Sequence, residues 1–422
     1  MKRVLIITYY WPPSGGSGVQ RWLKFVKYLP GLDWMPTIIT TENGDYPAID
    51  ESLLKDVPSI IKVIRTKTPT FGKLFQKMIG KKVPYGSLDT DKNDSFLRKI
   101  SIWIRLNFII PDARKIWNKQ AFKAASKELQ SNKHDVLITT GPPHSTHLVG
   151  LKLKKKFKIK WLTDFRDPWT KMGYLKNVKR WKISTFFDSI LERKVINNCD
   201  AAIAVSKKIM DDFDNINKIH LITNGYDPED FEQTKIIEKQ DFFSMNYFGT
   251  IPSESSPVPI LKAVNLLSEK SINNIHLNFY GNVSDIVKME LKENDENNLI
   301  TFHSYLPHNE MLNLLVNSSM LMLIINKVKN NKGILTGKIF EYIGSGVPVL
   351  GIGPEDGEAA QILEKTESGK MFYYDQIEEI TEFIEEKYND WKNRKKRTIT
   401  KKVENYSRIN LTRKLAEILN EI

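Results

Sequence analysis

The chain has 422 residues, of which 41% are hydrophobic and 10% aromatic, and its formal net charge is +13 at pH 7. This length exceeds what one hydrophobic core usually supports, so the composition predicts two globular domains. A single cysteine, Cys199, excludes an intramolecular disulfide and a cysteine-ligated metal, and it favours a reducing, cytoplasmic location. The positive charge indicates an anionic partner, such as phosphate ligands, acidic lipid headgroups or nucleic acid.

Strand-like and helix-like segments alternate along the first half of the chain. Short apolar runs predict strands at residues 4–9, 36–41, 60–65, 135–140, 159–165, 201–205 and 220–223. Helical patterns such as residues 19–29 lie between them, and this alternation is typical of a doubly wound parallel sheet. The apolar periodicity is lost at residues 229–240, where turn-forming and charged residues prevail, and this predicts a linker after a first domain at residues 1–228.

The alternation then restarts. Strands are predicted at residues 245–249, 276–281, 299–303, 320–325 and 347–352, with helices such as residues 260–268 and 309–317 between them. A second α/β domain with a parallel sheet is therefore predicted at residues 241–395. Residues 403–419 again have the spacing of a helix.

The most informative stretch is residues 333–352, GILTGKIFEYIGSGVPVLGI. Thr336 is predicted to cap a short helix whose first turn holds Gly337 and Lys338. The amides and dipole at a helix start stabilise a phosphate, and Lys338 adds a full positive charge there. Glu341 lies three residues on, on nearly the same face, where its two oxygens suit the two hydroxyls of a nucleotide ribose. A nucleotide-triphosphatase P-loop does not fit this spacing, and a buried helix with a salt-bridged Lys338–Glu341 pair remains the alternative.

Other candidate residues lie in loops that follow predicted strands, where open parallel sheets bind their ligands. Gly15 and Gly16 precede the first helix, so backbone amides can approach an anion closely, although a plain turn is the alternative. His144 and His147 stand one turn apart in the loop at residues 139–147. Each is a candidate ligand contact or, equally, a capping or packing residue.

The segment DFRDPW places Asp164, Arg166 and Asp167 within four residues after a strand. These charges are too costly to bury unpaired, so they either pair with one another or face a polar cleft. In a cleft, Arg166 would meet a phosphate and the two carboxylates would meet hydroxyl groups.

Residues 333–352 resemble the donor-binding motif of GT-B glycosyltransferases of the retaining family 4 type. In the commonest form two glutamates stand eight positions apart; Glu341 matches the second, which contacts ribose, and Gly333 occupies the first. A TGK-[IL]-FEY variant is familiar among polysaccharide-assembling relatives, and DFRDPW recurs in the branch that this sequence most resembles. The resemblance implies two Rossmann-like domains facing a cleft, with a C-terminal helix at residues 400–422 that returns to the first domain.

The resemblance also implies roles for particular residues. The donor-binding set consists of Gly15, Gly16, Gly249, Thr250, Thr336, Gly337, Lys338 and Glu341. The candidate catalytic residues are His144, Asp164, Arg166 and Lys338, and the acceptor-side candidates are His147 and Asp167. The loop after Phe248 lacks the arginine and lysine that relatives present to the diphosphate, so the charge is expected from Lys338, backbone amides or Arg166. No metal and no cofactor are expected.

The expected function is transfer of a sugar from a nucleoside-diphosphate donor, with retention, to a glycan or polyprenyl-linked acceptor in cell-surface polysaccharide assembly. A GT-B sugar-nucleotide 2-epimerase is the alternative enzyme. A basic nucleic-acid-binding protein is the non-enzymatic alternative, but the positive charge is scattered and no nucleic-acid module is recognised, so no nucleic-acid partner is expected.

Two segments mix basic with large apolar side chains, at residues 97–117 and 175–182. They predict peripheral binding to an anionic membrane surface at the inner face of the cell membrane. Core-facing helices with solvated lysines are the alternative.

Overall fold

A computed structural model describes residues 1–46, 48–68, 96–171, 180–213, 218–235 and 241–422. The chain forms two compact units, one of Met1–Thr223 with Leu411–Ile422 and one of Asn224–Asn410. The second unit therefore begins just before the segment that the sequence suggests as a linker.

The first unit contains a seven-stranded sheet. Its strands are β1 (Lys2–Ile7), β2 (Trp34–Thr41), β3 (Lys62–Thr66), β4 (Val136–Gly141), β5 (Lys160–Phe165), β6 (Ala201–Ala204) and β7 (Ile219–Leu221). The order across the sheet is β3-β2-β1-β4-β5-β6-β7, and all neighbours are parallel. Residues 4–7 of β1 are fully buried because both faces of the sheet are covered, which explains why its strands are continuous apolar runs.

The helices of the first unit lie between these strands. They are α1 (Ser17–Tyr28), α2 (Phe96–Phe108), α3 (Asn118–Ser131), α4 (Ser145–Phe157), α5 (Lys182–Asn198) and α6 (Lys207–Asp211). Helix α1 buries Val19, Trp22 and Val26 against the sheet, at the spacing that places them on one helical face.

The second unit contains a six-stranded sheet. Its strands are β8 (Phe243–Phe248), β9 (Ile275–Tyr280), β10 (Ile300–His303), β11 (Met320–Ile324), β12 (Val349–Ile352) and β13 (Gly369–Phe372). Their order is β10-β9-β8-β11-β12-β13, again with parallel neighbours. The helices of this unit are α7 (Pro228–Glu232), α8 (Val258–Glu269), α9 (Asp285–Glu293), α10 (His308–Val316), α11 (Lys338–Ser345), α12 (Glu358–Thr366) and α13 (Ile377–Lys392).

The prediction of two doubly wound α/β sheets is confirmed, and each predicted strand occurs with ends within two residues of those predicted. Strand β13 was not predicted. It contains only four residues, and Gly369 and Lys370 give it no apolar run.

The last predicted helix, at residues 403–419, is wrong at its start. Lys401–Tyr406 forms a 3-10 turn, and helix α14 (Arg408–Glu421) begins after it. The break occurs because Tyr226 donates its amide to the Tyr406 carbonyl and accepts the Arg408 amide, which holds Ser407 extended. Beyond the break, Leu411 and Leu415 of α14 lie in the buried cluster of the first unit with Val4 and Trp22.

Candidate active site

The predicted donor motif lies where the strand order of the second sheet reverses. This reversal falls between β8 and β11, and ligands of open parallel sheets bind beyond the carboxyl ends of the strands at such a point. Gly249 follows β8 directly, and residues 325–337 lead from β11 to α11. The two candidate donor segments therefore meet at one edge of the sheet.

Helix α11 begins one residue later than its predicted cap implies. Its N-cap is Gly337, and Thr336 makes no capping hydrogen bond, so the capping prediction for Thr336 is wrong. Because Gly337 has helical dihedral angles, the Thr336 carbonyl accepts the Ile339 amide, although Lys338 is the first residue of the helix. The helix ends at Gly346, which has a left-handed φ of 69° that favours glycine.

Lys338 is held by an aromatic side chain of β8. Its Nζ donates to the Tyr247 hydroxyl at 2.6 Å and lies 4.2 Å from the centre of the Tyr247 ring. Burial lowers the pKa of Lys338 to about 8, and the nearby Glu341 charge opposes this shift. The ammonium is half-buried with one neutral hydrogen-bond partner, and a bound anion would reduce the cost of its desolvation.

Gly249 makes room for the lysine. A Cβ atom at Gly249 would lie 2.5 Å from Cε and 2.8 Å from Nζ of Lys338, and the φ of 118° also requires glycine. The Tyr247 hydroxyl, which accepts from Lys338, donates in turn to the carbonyl of the exposed Thr250 at 2.9 Å. Lys338 therefore places a positive charge at the start of the loop after β8, which contains neither arginine nor lysine.

Glu341 has a partner that the sequence did not indicate. Its Oε1 lies 3.1 Å from Nε2 of His308, the first residue of α10, and the two side chains are 22% and 18% exposed. The carboxylate therefore reaches solvent beside a histidine, while Ile339 and Phe340 of the same helix are fully buried. This is the expected placement for a carboxylate that binds a ligand hydroxyl.

In the first unit, Arg166 lies against the first turn of α1. A Cβ atom at Gly18 would clash with Nη1 of Arg166, so this glycine is required for the close approach. Nε of Arg166 donates to the Gly141 carbonyl at 3.3 Å, and Nη2 donates to the Pro142 carbonyl. Gly16 caps α1 with a φ of 102°. The structure thus brings the predicted Arg166 to the helix start that follows Gly15 and Gly16.

Asp164 has a different environment from its two neighbours in the motif. It is fully buried and ion-paired with Arg21 at 3.0 Å, and it accepts from Trp22 Nε1 at 2.6 Å and from Thr140 Oγ1 at 2.8 Å. These contacts favour the internal-pairing alternative, in which Asp164 holds α1 against β4 and β5. Asp167 is half-buried instead; burial raises its pKa, and the Arg166 charge opposes the rise.

His144 and His147 lie in an aromatic stack near Gly141. The His144 ring is parallel to the Trp169 ring at 5.1 Å, and Nδ1 of His147 is 2.8 Å from Thr139 Oγ1. Burial, followed by the Arg166 charge, lowers the pKa of His144 to about 3, and burial lowers the pKa of His147 as well. Both rings are therefore neutral at pH 7.

Residues 89–230 match a family model described as Glycosyltransferase Family 4. Over its full length the chain is similar in structure to sucrose-phosphate synthase from Thermosynechococcus elongatus, with a TM-score of 0.62, 12% identity and 99% of that chain covered. The chain has the GT-B fold. No curated protein sequence matches it.

Two further solved structures have the same fold. Anabaena HepE, determined in complex with UDP-glucose, gives a TM-score of 0.61 at 11% identity, with 100% of each chain covered. WaaG, a glycosyltransferase involved in lipopolysaccharide biosynthesis, gives a TM-score of 0.56 at 12% identity, with 99% of each chain covered. At these identities the similarity establishes the fold alone.

Sequence reasoning missed two side chains of the candidate site, Tyr247 and His308. Tyr247 stands in an apolar strand where its hydroxyl gives no pattern, and its contact with Lys338 spans 91 residues of sequence. For His308 the available signal was the Pro307–His308 helix start, which follows the loop after β10.

The buried histidines predict a loss of stability in acid. Below the ordinary pKa of 6.5 the unfolded chain binds a proton at His144, whereas the folded chain does not until about pH 3. The contribution of His144 to the free energy of unfolding is therefore fully present above pH 6.5 and falls as the pH is lowered. The loss is about 1.4 kcal/mol per pH unit, or about 2 kcal/mol at pH 5. Urea denaturation of wild type and His144→Phe from pH 7.5 to 5 measures the difference. Equal pH slopes in both proteins would contradict the buried, neutral His144.

Proposed function

We propose that this glycosyltransferase moves a sugar from a nucleoside-diphosphate donor to a glycan or lipid-linked acceptor, with retention of configuration. The observation that carries the proposal is the position of Lys338, a half-buried cation at the switch point of the second sheet, beside the solvent-reaching carboxylate of Glu341. The first group suits a diphosphate and the second suits a ribose, as the two ends of one nucleotide.

Lys338 is the group that stabilises the departing diphosphate. As the bond from the sugar to the β-phosphate breaks, negative charge grows on the phosphate oxygen, and a cation fixed before the reaction lowers that barrier. The Tyr247 ring and hydroxyl fix the ammonium, and the start of α11, where Lys338 is the first residue, adds backbone amides that an anion can bind. This arrangement supplies the charge stabilisation that a metal provides elsewhere, so a metal-independent reaction remains our prediction.

Glu341 accepts the ribose hydroxyls in this proposal. Oε1 is shared with His308, which orients the carboxylate and leaves Oε2 for the ligand. In the first unit, Arg166 with Gly15 and Gly16 forms the second group able to meet a phosphate. Asp167 and His147 remain the acceptor-side candidates, although the burial of His147 limits it to orienting its neighbours.

Two of the similar structures support the substrate classes. HepE was determined with UDP-glucose, and WaaG acts in lipopolysaccharide biosynthesis. We extend these classes to this chain as a nucleotide-sugar donor and a glycan or lipid-linked acceptor in cell-surface polysaccharide assembly. The proposed location is the cytoplasm, at the inner face of the cell membrane.

The test is a thermal-shift panel of UDP-, GDP- and dTDP-sugars, because a ligand that binds only the folded state raises its melting temperature. One base should give a shift that the other two do not, and proton NMR of the product should show the anomeric configuration of the donor. If no nucleotide sugar shifts the transition, the proposal fails. Release of free nucleotide without any acceptor would favour the 2-epimerase alternative.

Replacing Glu341 tests the ribose contact. Glu341→Gln should weaken donor binding by about 1 to 3 kcal/mol, since it loses charge-assisted hydrogen bonds that are present in both ground and transition states. KM for the donor should rise while kcat stays near wild type. Glu310→Gln, an exposed carboxylate in the first turn of α10, is the matched control and should have wild-type kinetics. A 2′-deoxy donor that weakens wild type and Glu341→Gln by the same factor would exclude Glu341 as the ribose ligand.

A further inference from the structure

The first half of helix α5 has apolar side chains on its solvent-exposed side and polar side chains on its inward side. Ile183, Phe186, Phe187 and Ile190, at the i, i+3, i+4 and i+7 positions of one stripe, are all exposed, with Phe186 at 61% and Phe187 at 53%. Its inward side is polar at Ser184. A soluble helix normally has the opposite arrangement, so the outward apolar stripe requires an explanation.

The inward polar residues are held by specific contacts. The hydroxyl of Ser184 donates to the Asn107 carbonyl at 3.0 Å. The carboxylate of Asp188 accepts from Trp169 Nε1 at 2.7 Å and pairs with Arg180 at 2.8 Å. These bonds fix the rotation of α5, so its phenylalanines cannot turn inward without leaving Asp188 unpaired.

A cluster of aromatic side chains extends the stripe onto α2. The Trp103 ring contacts Trp181 edge to face at 4.9 Å, and Phe108 contacts Trp181 at 5.2 Å. All three rings are between 38% and 56% exposed. Trp181 immediately precedes α5, and its amide donates to Asn107 of α2 at 2.7 Å, so the cluster and the stripe adjoin.

We refer to Trp103, Phe108, Trp181, Ile183, Phe186 and Phe187 as the aromatic face. The exposed charges of α5 have one sign. Helix α2 contains no acidic residue, and the two acids of α5 are both engaged, Asp188 with Arg180 and Glu192 with Thr170. The exposed charged side chains on α5 are basic: Lys182, Arg193 and Lys194.

We propose that the aromatic face inserts into the headgroup region of an anionic lipid bilayer. Exposed tryptophans beside phenylalanines and a basic rim are the composition of a helix that lies in the interfacial plane. The basic rim matches anionic lipid by charge. None of the helices in the described ranges is long and apolar enough to span a membrane.

The membrane contact itself does not depend on the proposed function. Only its purpose, which is to bring the enzyme to a lipid-linked acceptor, rests on that proposal. This contact also extends the sequence prediction, whose second segment supplies Trp181 and Lys182. Of the second basic segment at residues 175–182, residues 175–179 lie outside the described part of the chain, and the strongest apolar stripe begins after it, at Ile183.

The test is flotation of the full chain with phosphatidylcholine vesicles, with and without phosphatidylglycerol, at low and high salt. Wild type should float with the anionic vesicles and be released by salt. Phe186→Ser with Phe187→Ser should lower the partition coefficient about tenfold or more, and each of Lys182→Gln and Lys194→Gln about fivefold. The matched control is Ile286→Ser with Met289→Ser, because these side chains are as exposed, at 60% and 58%, but lie on α9 of the second unit. The control should float like wild type.

Three outcomes would overturn the inference. The first is that wild type does not float with anionic vesicles at low salt. The second is that Phe186→Ser with Phe187→Ser floats as well as the Ile286→Ser with Met289→Ser control. The third is that light scattering shows a wild-type dimer which the phenylalanine variant dissociates, while neither wild type nor this variant binds vesicles. The last result would assign the aromatic face to a second copy of the chain. The thermal shift with the donor should be unchanged in every variant, so flotation without a donor shift would defeat the proposed function and leave the membrane contact standing.

Discussion

Lys338→Ala should lower kcat about 100-fold or more while changing donor affinity much less. The diphosphate gains charge only as the glycosidic bond breaks, so a preorganised cation contributes more to the transition state than to the bound donor. Burial and the Tyr247 contact fix this cation before the donor arrives, which is the condition for such an effect. Initial rates against donor concentration measure kcat and KM separately.

The pH profile gives a second measure of the same group. Because the pKa of Lys338 is lowered to about 8, kcat/KM of the wild type should fall as the free enzyme loses this proton above pH 8, and Lys338→Ala should lack that limb. Lys332→Ala is the control, since Lys332 is an exposed lysine of the same loop that pairs with Asp356. Circular dichroism must show each variant folded. A folded Lys338→Ala with wild-type kcat would place the chemistry elsewhere.

Arg21→Met should destabilise the first unit by about 3 to 5 kcal/mol. The substitution leaves the carboxylate of Asp164 fully buried without its ionic partner, and breaking a buried ion pair costs more than the pair itself contributes. Arg21 also donates to the carbonyls of Ile222 and Thr223, which lose that partner. Urea titration with hydrogen exchange of peptides from β1 and β4 measures the loss within the first unit.

Lys24→Met on the same helix is the matched control. Lys24 pairs with Asp56, whose side chain is 32% exposed, so water can solvate the remaining charge and the cost should be about 1 kcal/mol. If Arg21→Met kept wild-type stability and lost activity, Asp164 would return to the catalytic set in which the sequence placed it. Loss of stability with kcat retained under folding conditions confirms the structural role.

The sequence predicted the sheets well because their strands are buried on both faces. Residues 4–7 of β1 and 136–138 of β4 are continuous apolar runs, which short-range periodicity detects. It missed β13, whose Gly369–Phe372 segment has buried residues only at its end. It also extended the last helix through Ser407, since the pairing of Tyr226 with that segment is a long-range contact.

The candidate site was predictable in part. Gly249, Gly337, Lys338 and Glu341 were all expected in one site, and the structure brings Lys338 beside Gly249. Pairing partners were not predictable, because Tyr247 and His308 reach the helix α11 from strands and helices distant in sequence. The same limit applies to Asp164: residue types within DFRDPW could not show that Arg21, rather than a ligand, meets its charge.

The central claim is that Lys338 and Glu341 hold the two ends of a nucleoside diphosphate. Isothermal titration calorimetry of UDP, GDP and dTDP into wild type, Glu341→Gln and Lys338→Ala tests it without an acceptor. We expect one of the three nucleotides to bind wild type. Glu341→Gln should bind that nucleotide with at least a fivefold weaker affinity, which corresponds to about 1 kcal/mol or more. The Glu310→Gln control should bind it as wild type does. Equal affinity in wild type and both site variants, or no binding of any nucleoside diphosphate, would contradict the account.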